Sequence, residues 1–375
     1  MKRILSELTD ILVRDHLKFK GGALLIYYDN SNKDIGAAIY ESAYRVFKQY
    51  KFKNKHTIQN IEKPKITLRN FDFYRKNGEP IRDFPDNLRH EIRSALSGPD
   101  KEHNTLIYIM QGLDGEQPVK KQIIKTAQEL GKIGGLADCT IGVLQQAFHP
   151  DNNLNFSAEL YDFILQEKEV KVTCDRGTNL NITMDHDKYK LVNSNGVLIP
   201  ERYGNPIPAE VFAHPVDANG TMVISGSYGP LMGYEDFVGN YSLLAETLDK
   251  TPITWTFENG KITDVKCEND IIKKFVKNYV FELEPEHGPK IGEFGLPANL
   301  HILKLPISGN LLLDEKGRVH IANGDGYQTR TGCEYEINVH GDGLIANATM
   351  HSARLNKDFM VNNVYSSELF KTVSQ

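Results

Sequence analysis

The sequence predicts an α/β chain in two parts. An N-terminal α/β domain with a largely parallel sheet is expected over residues 1–185, and a β-rich C-terminal metal-site domain over 186–375. Three observations predict this. The apolar runs Ala-Leu-Leu-Ile-Tyr-Tyr (23–28) and Thr-Leu-Ile-Tyr-Ile-Met (105–110) alternate with helical stretches, as in parallel sheets covered by crossover helices. From about Glu169 the chain changes to short β-like runs separated by turns. Beyond that change, acids and histidines stand in Gly-, Pro- and Asn-punctuated segments, a backbone that aims side chains into a cleft.

Residues 4–17 carry Ile4, Leu5, Leu8, Ile11 and Leu12 at helical spacing. The run 23–28 is a central strand ending in Asp29-Asn30-Ser31, which is N-cap chemistry, and a helix follows from Lys33 to about Tyr50. A strand is expected at 65–70, a helix at 85–96, a second central strand at 105–110 and a helix at 118–130 with Pro118 near its start. The loop 111–116 lacks phosphate-loop spacing and reads as a turn, and the glycine-rich 131–135 reads as a helix stop and loop. In the second half, short strands are expected at 170–174, 179–184, 189–192, 222–225, 253–258 and 261–267, with a helix at 271–278. Asn259-Gly260 marks a hairpin, because that pair accepts the positive φ values of a type I′ turn.

Composition excludes several classes. With 40% hydrophobic and 25% charged residues the chain is ordinary for a globular protein, and a net charge of -5 offers no basic surface for nucleic acid. The basic run 48–55 reads as a solvated face. Cys139, Cys174, Cys267 and Cys333 lie far apart, so free thiols in a reducing compartment are expected. No apolar stretch reaches membrane-spanning length and the charged N-terminus is unlike a signal peptide, which points to the cytoplasm.

The chemistry concentrates in Glu210, Glu293, His320, His340 and Asp342, a full complement of ligands for one or two divalent ions. His340 and Asp342 stand at i and i+2, so on an extended segment they face the same side. Glu293 lies between Gly292 and Phe294-Gly295, where a carboxylate is costly to bury unless a cation sits beside it. Taken singly, each residue has an ordinary reading. Glu293 and Glu210 fit exposed acids, His320 a satisfied histidine in an alternating strand, and Tyr327 a packing tyrosine.

In order along the chain, several stretches resemble the aminopeptidase T/aminopeptidase S family of metallopeptidases. They are Asp175-Arg-Gly-Thr-Asn-Leu180, Gly204-Asn-Pro-Ile-Pro-Ala-Glu-Val-Phe212, Asn219-Gly-Thr221, Ile291-Gly-Glu-Phe-Gly295 with Asn299, Asp314-Glu-Lys316, Val319-His-Ile-Ala322 with Gly324 and Tyr327, and His340-Gly-Asp342. The resemblance runs from about residue 170 to 345. It implies a dinuclear aminopeptidase, a hydrolase of short peptides or related amides, with two divalent ions (Zn, Co or Mn) on Glu210, Glu293, His320, His340 and Asp342. It also implies a catalytic role for Glu293 and for Tyr327, and a homodimer. The family triplet often reads His-Trp-Asp where this chain has His-Gly-Asp, a difference that bears on substrate preference. The chain is also similar to the mononuclear iron 2,5-dihydroxypyridine dioxygenases. Those keep the HxD pair but carry histidine at the position of Glu293 and lack counterparts of Glu210 and His320. A metal-binding homologue without turnover is the remaining alternative.

Overall fold

The computed structural model describes residues 2–53, 63–70, 75–76, 79–80, 86–97, 102–110, 117–137 and 139–374. The chain packs as two compact units. One comprises Met1–Phe148 with Gly196–Pro208, the other His149–Asn195 with Ala209–Gln375. Residues 185 and 186, where the sequence places its division, both lie within the second unit. A single cut cannot express a chain that returns to its first unit for thirteen residues, 196–208.

The first unit holds a parallel sheet of β1 (Ala23–Tyr28), β2 (Lys65–Asn70), β3 (Thr105–Met110) and β4 (Lys132–Ala137), closed by the short Tyr203–Gly204. The order is Tyr203–Gly204, β4, β3, β1, β2, and every pairing is parallel. Helices α1 (Lys2–Ile11), α2 (Lys33–Lys53), α3 (Asp86–Ala95) and α4 (Gln117–Ala127) match the expected helices. The Asp29 carboxylate accepts the Asn32 N–H before α2, as its N-cap chemistry predicts. The expected loop at 131–135 is wrong: β4 occupies it. A Cβ at Gly135 would lie 2.3 Å from the Tyr108 hydroxyl, and one at Gly134 would lie 2.4 Å from Ile107 Cδ1. Glycine here admits neighbouring side chains rather than stopping a helix. The loop 111–116, Pro85 and the end of the 48–55 run lie outside the described residues.

His16 ends the first helical segment at 2% exposure, against Phe148. Burial pushes its imidazole down to about 4. The folded state therefore rejects a proton that the unfolded chain accepts, so stability is fully present above about 6.5 and is lost as pH falls toward 4. The expected loss across that window is on the order of 3 kcal/mol. In urea titrations from pH 7 to 4, His16→Gln should lose that much less stability than the wild type; parallel curves would remove His16 as the cause.

The second unit carries two antiparallel sheets. The eight-stranded one runs, in spatial order, Lys261–Lys266, Ile253–Glu258, Asp217–Ile224, Asn179–Thr183, Glu169–Thr173, Thr349–Ser352, Lys357–Val361 and Val364–Tyr365. The predicted Asn259-Gly260 hairpin joins its first two strands, with φ of 50° and 71°. The five-stranded sheet is a meander of β5 (Val192–Ser194), β6 (Glu210–Ala213), β7 (Ile291–Pro297), β8 (Val319–Gly324) and β9 (His340–Ile345). The expected strand at 189–192 begins later, at Val192. Between these sheets and the flanking helices lies a core that includes Trp255, Phe257, Phe294 and Phe212's neighbours Val211 and Ala213. β6, β7 and β8 are buried along their whole length, so any ionised group on them must find its partners inside the protein. The four cysteines are free thiols, and no described helix is long and apolar enough to cross a membrane.

Candidate metal centre

Register places the predicted ligands on one face of the five-stranded sheet. Glu210 stands opposite Pro297, Gly295 opposite His320, Glu293 opposite Ala322, and Ala322 opposite Asp342. Residues 293, 295 and 297 of β7 share a face by the period of two, and directly opposed residues share it as well. His340 joins through its i, i+2 relation to Asp342. The five side chains form two groups of possible ligands, Glu210–Glu293–His320 and Glu293–His340–Asp342, with Glu293 in both.

Glu293 divides its two oxygens between the histidines. Oε1 lies 3.4 Å from His320 Nε2, and Oε2 lies 3.8 Å from His340 Nε2. His340 Nε2 is also 3.2 Å from Asp342 Oδ2, and His320 Nε2 is 3.8 Å from Glu210 Oε2. Each ring is aimed by a backbone carbonyl. His320 Nδ1–H donates to Arg318 O at 3.0 Å, and His340 Nδ1–H to Asp325 O at 2.8 Å. That leaves Nε2 of both rings for the carboxylates, the orientation found in ligating histidines.

The electrostatics are those of buried acids seeking cations. Burial opposes the charged forms of His320 and His340, but the carboxylates outweigh it and raise the rings to about 10 and about 9. Burial likewise opposes the Asp342 anion, yet His340 holds that carboxyl at about 2. Glu293 is raised, first by burial and then by the nearby Asp342 charge. Glu210 is lowered, because the Lys316 ammonium and the His320 ring outweigh burial.

Lys316, in the Asp314-Glu315-Lys316 motif, has no role evident from the sequence. Its side chain is 0% exposed, and Nζ lies 2.7 Å from Glu210 Oε2 and 2.6 Å from Glu315 Oε1. The two acids respond differently to the shared cation. Burial, with Glu210 and Asp342 as like charges, leaves Glu315 raised to about 7 despite Lys316. The charged Asp314-Glu315-Lys316 run between Leu311–Leu313 and Val319 reads equally well as a solvated turn, so no local signal marked it.

Gly295 is the second residue whose part was missed. A Cβ there would fall 1.9 Å from His320 Nε2, so only glycine lets the ring lie across β7. Gly295→Ala is expected to displace His320 and to cost about 1–3 kcal/mol by overpacking, measured by urea unfolding, with the His320 ring resonances shifted in NMR spectra. Wild-type stability with unmoved resonances would contradict this packing.

Tyr327 packs beside the cluster, its ring 4.6 Å from that of His340 and 5.9 Å from that of Phe212. It adopts φ 55°, ψ 65°, the left-handed region, where a bulky residue is strained. Such strain at the edge of a polar cluster is common where a side chain must be aimed.

Fold and site together define a two-unit α/β protein with a buried carboxylate–imidazole cluster on an antiparallel sheet. Among solved structures it is similar to a 2,5-dihydroxypyridine dioxygenase from Pseudomonas putida, with a TM-score of 0.64, 13% identity and 98% of both chains covered. It is equally similar to AmpT, aminopeptidase T, from Thermus thermophilus, with a TM-score of 0.64, 15% identity, and 96% of this chain and 98% of that one covered. At these identities the likeness is one of fold and does not choose between the two. No family model and no curated protein matches the chain.

Proposed function

We propose that the protein is a metal-dependent aminopeptidase or closely related amide hydrolase acting on short peptides. Glu210, Glu293 and His320 would hold one divalent ion, and Glu293, His340 and Asp342 a second. The observation that carries this reading is the placement of Glu293, whose two oxygens face two different imidazoles. A carboxylate so placed suits a bridge between two ions better than a mononuclear site built from two histidines and one carboxylate. The donor set fits a divalent ion in a second respect. Asp342 Oδ1 is buried and has no hydrogen-bond partner among the described residues, and such an atom is costly unless a cation or water meets it.

When bound, a pair of Zn, Co or Mn ions polarises a carbonyl and lowers the pKa of a shared water. The chain's own residues do the rest. The Arg318 and Asp325 carbonyls fix the two rings, and Lys316 holds Glu210 in place. Tyr327, half-buried with its ring beside that of His340, would supply its hydroxyl as a donor to a developing oxyanion.

The test is metal content per chain together with turnover. About two equivalents of Zn, Co or Mn, with release of N-terminal residues from short peptides, is the expected result. One equivalent of iron with oxygen uptake on hydroxylated aromatics would replace this reading with a ring-cleaving dioxygenase. Metal binding with turnover of neither substrate class would make the chain a silent homologue.

A further inference from the structure

Within the second unit a half-open surface cavity of about 270 Å³ is lined by, among others, Lys188, Tyr189, His214, Lys261, Lys290 and Tyr335. None of these residues belongs to the cluster described above. We propose that this cavity binds a small carboxylate that also carries an O–H or N–H donor, the class of hydroxy acids and free amino acids.

Two features point to that ligand. The first is charge. Lys261 and Lys290 are directly opposed in an antiparallel bridge. Flanking backbone bonds, Ile262 N–H to Pro289 O and Ile291 N–H to Gly260 O, both 2.8 Å, fix them there. Like charges directly opposed are destabilising unless something negative lies between them. Neither ammonium is ion-paired among the described residues; Lys290 lies over the Tyr335 ring, 4.8 Å from its centroid. Glu258, opposite Lys261 in the hairpin, forms no ion pair with it among the described residues, and Glu334 and Asp217 are engaged elsewhere. Glu334 pairs with Lys188 at 2.9 Å and accepts the Tyr189 hydroxyl, while Asp217 accepts the Ala218 N–H and the Asn219 amide. The cavity is left with the charge of two lysines to be met.

The second feature is His214, 5% exposed and lining the same cavity. Its Nδ1–H donates to Gly292 O at 2.7 Å, and burial holds the imidazole below its ordinary pKa. Nε2 is therefore a lone pair, with no hydrogen bond among the described residues. A bare anion would meet that lone pair unfavourably. A ligand whose carboxylate reaches the lysines and whose hydroxyl or amine reaches Nε2 satisfies both.

Glycolate and its isostere propionate, titrated calorimetrically into the purified full-length protein, test this. Glycolate is expected to saturate one site per chain, with propionate at least about tenfold weaker, the loss of one hydrogen bond to a buried group. Lys290→Met and Lys261→Met, both on exposed or half-exposed side chains, should each weaken glycolate by at least about tenfold. Glu293→Ala should leave glycolate affinity unchanged, so this site stands or falls apart from the proposed metal centre. Absent saturation, equal binding of the two acids, or binding lost in Glu293→Ala but kept in both lysine variants would overturn it.

Discussion

Glu293→Ala is expected to remove divalent-ion binding from both groups at once and to lower peptide turnover more than about a hundredfold. Loss of the partners that merely orient ligands already costs 10–100-fold. No other candidate belongs to both groups, so no other single change should take metal content from about two equivalents to near zero. The fold should survive. Burial and the Asp342 charge oppose the Glu293 carboxylate while the His320 and His340 rings favour it, so alanine removes effects that partly cancel in the ion-free protein. The diagnostic is thermal. Excess ion at about a hundred times its Kd should stabilise the wild type by about 2.7 kcal/mol for each ion bound and the variant not at all. A variant that still binds two ions, or still gains that stability, would mean Glu293 is not a bridge.

The sequence made much of this centre legible because its parts are local. His340 and Asp342 declare their shared face by the period of two, and the register of β8 with β9 keeps them on the face that carries Glu293. Glycine beside Glu293 marks close approach, although only the structure shows that Gly295 is the one beneath the His320 ring. The alternation of apolar strands and helices likewise gave the parallel sheet, and a loop was read where β4 runs because its glycines hide it. Two things had no local signature. The return of residues 196–208 to the first unit is a property of packing, and so is the burial of a lysine. Nothing in Asp-Glu-Lys distinguishes a solvated surface run from a charge enclosed by two carboxylates, since the partner Glu210 is over a hundred residues earlier.

That enclosed charge sets the second large effect. Lys316→Met is expected to destabilise the protein by about 3–5 kcal/mol, the cost of breaking a buried ion pair from one side. Methionine fills the volume but leaves Glu210 and Glu315 facing each other without their shared cation. Glu315, already raised to about 7 with the lysine present, would then be largely protonated at neutral pH, leaving Glu210 to rely on His320 and the weaker field of Arg330. The sign of the pH dependence follows. Loss of the ammonium raises the folded-state pKa of both acids, so the folded variant binds more protons than its unfolded chain. Its deficit relative to the wild type should therefore shrink as the pH is lowered from 8 to 5. The double variant Lys316→Met/Glu315→Gln removes one of the two stranded charges and should recover part of the loss. Urea unfolding of the wild type and both variants at pH 8 and pH 5 checks this. A single variant within about 1 kcal/mol of the wild type at pH 8 would place Lys316 in the ordinary range of surface pairs, and its role in holding Glu210 would have to be abandoned.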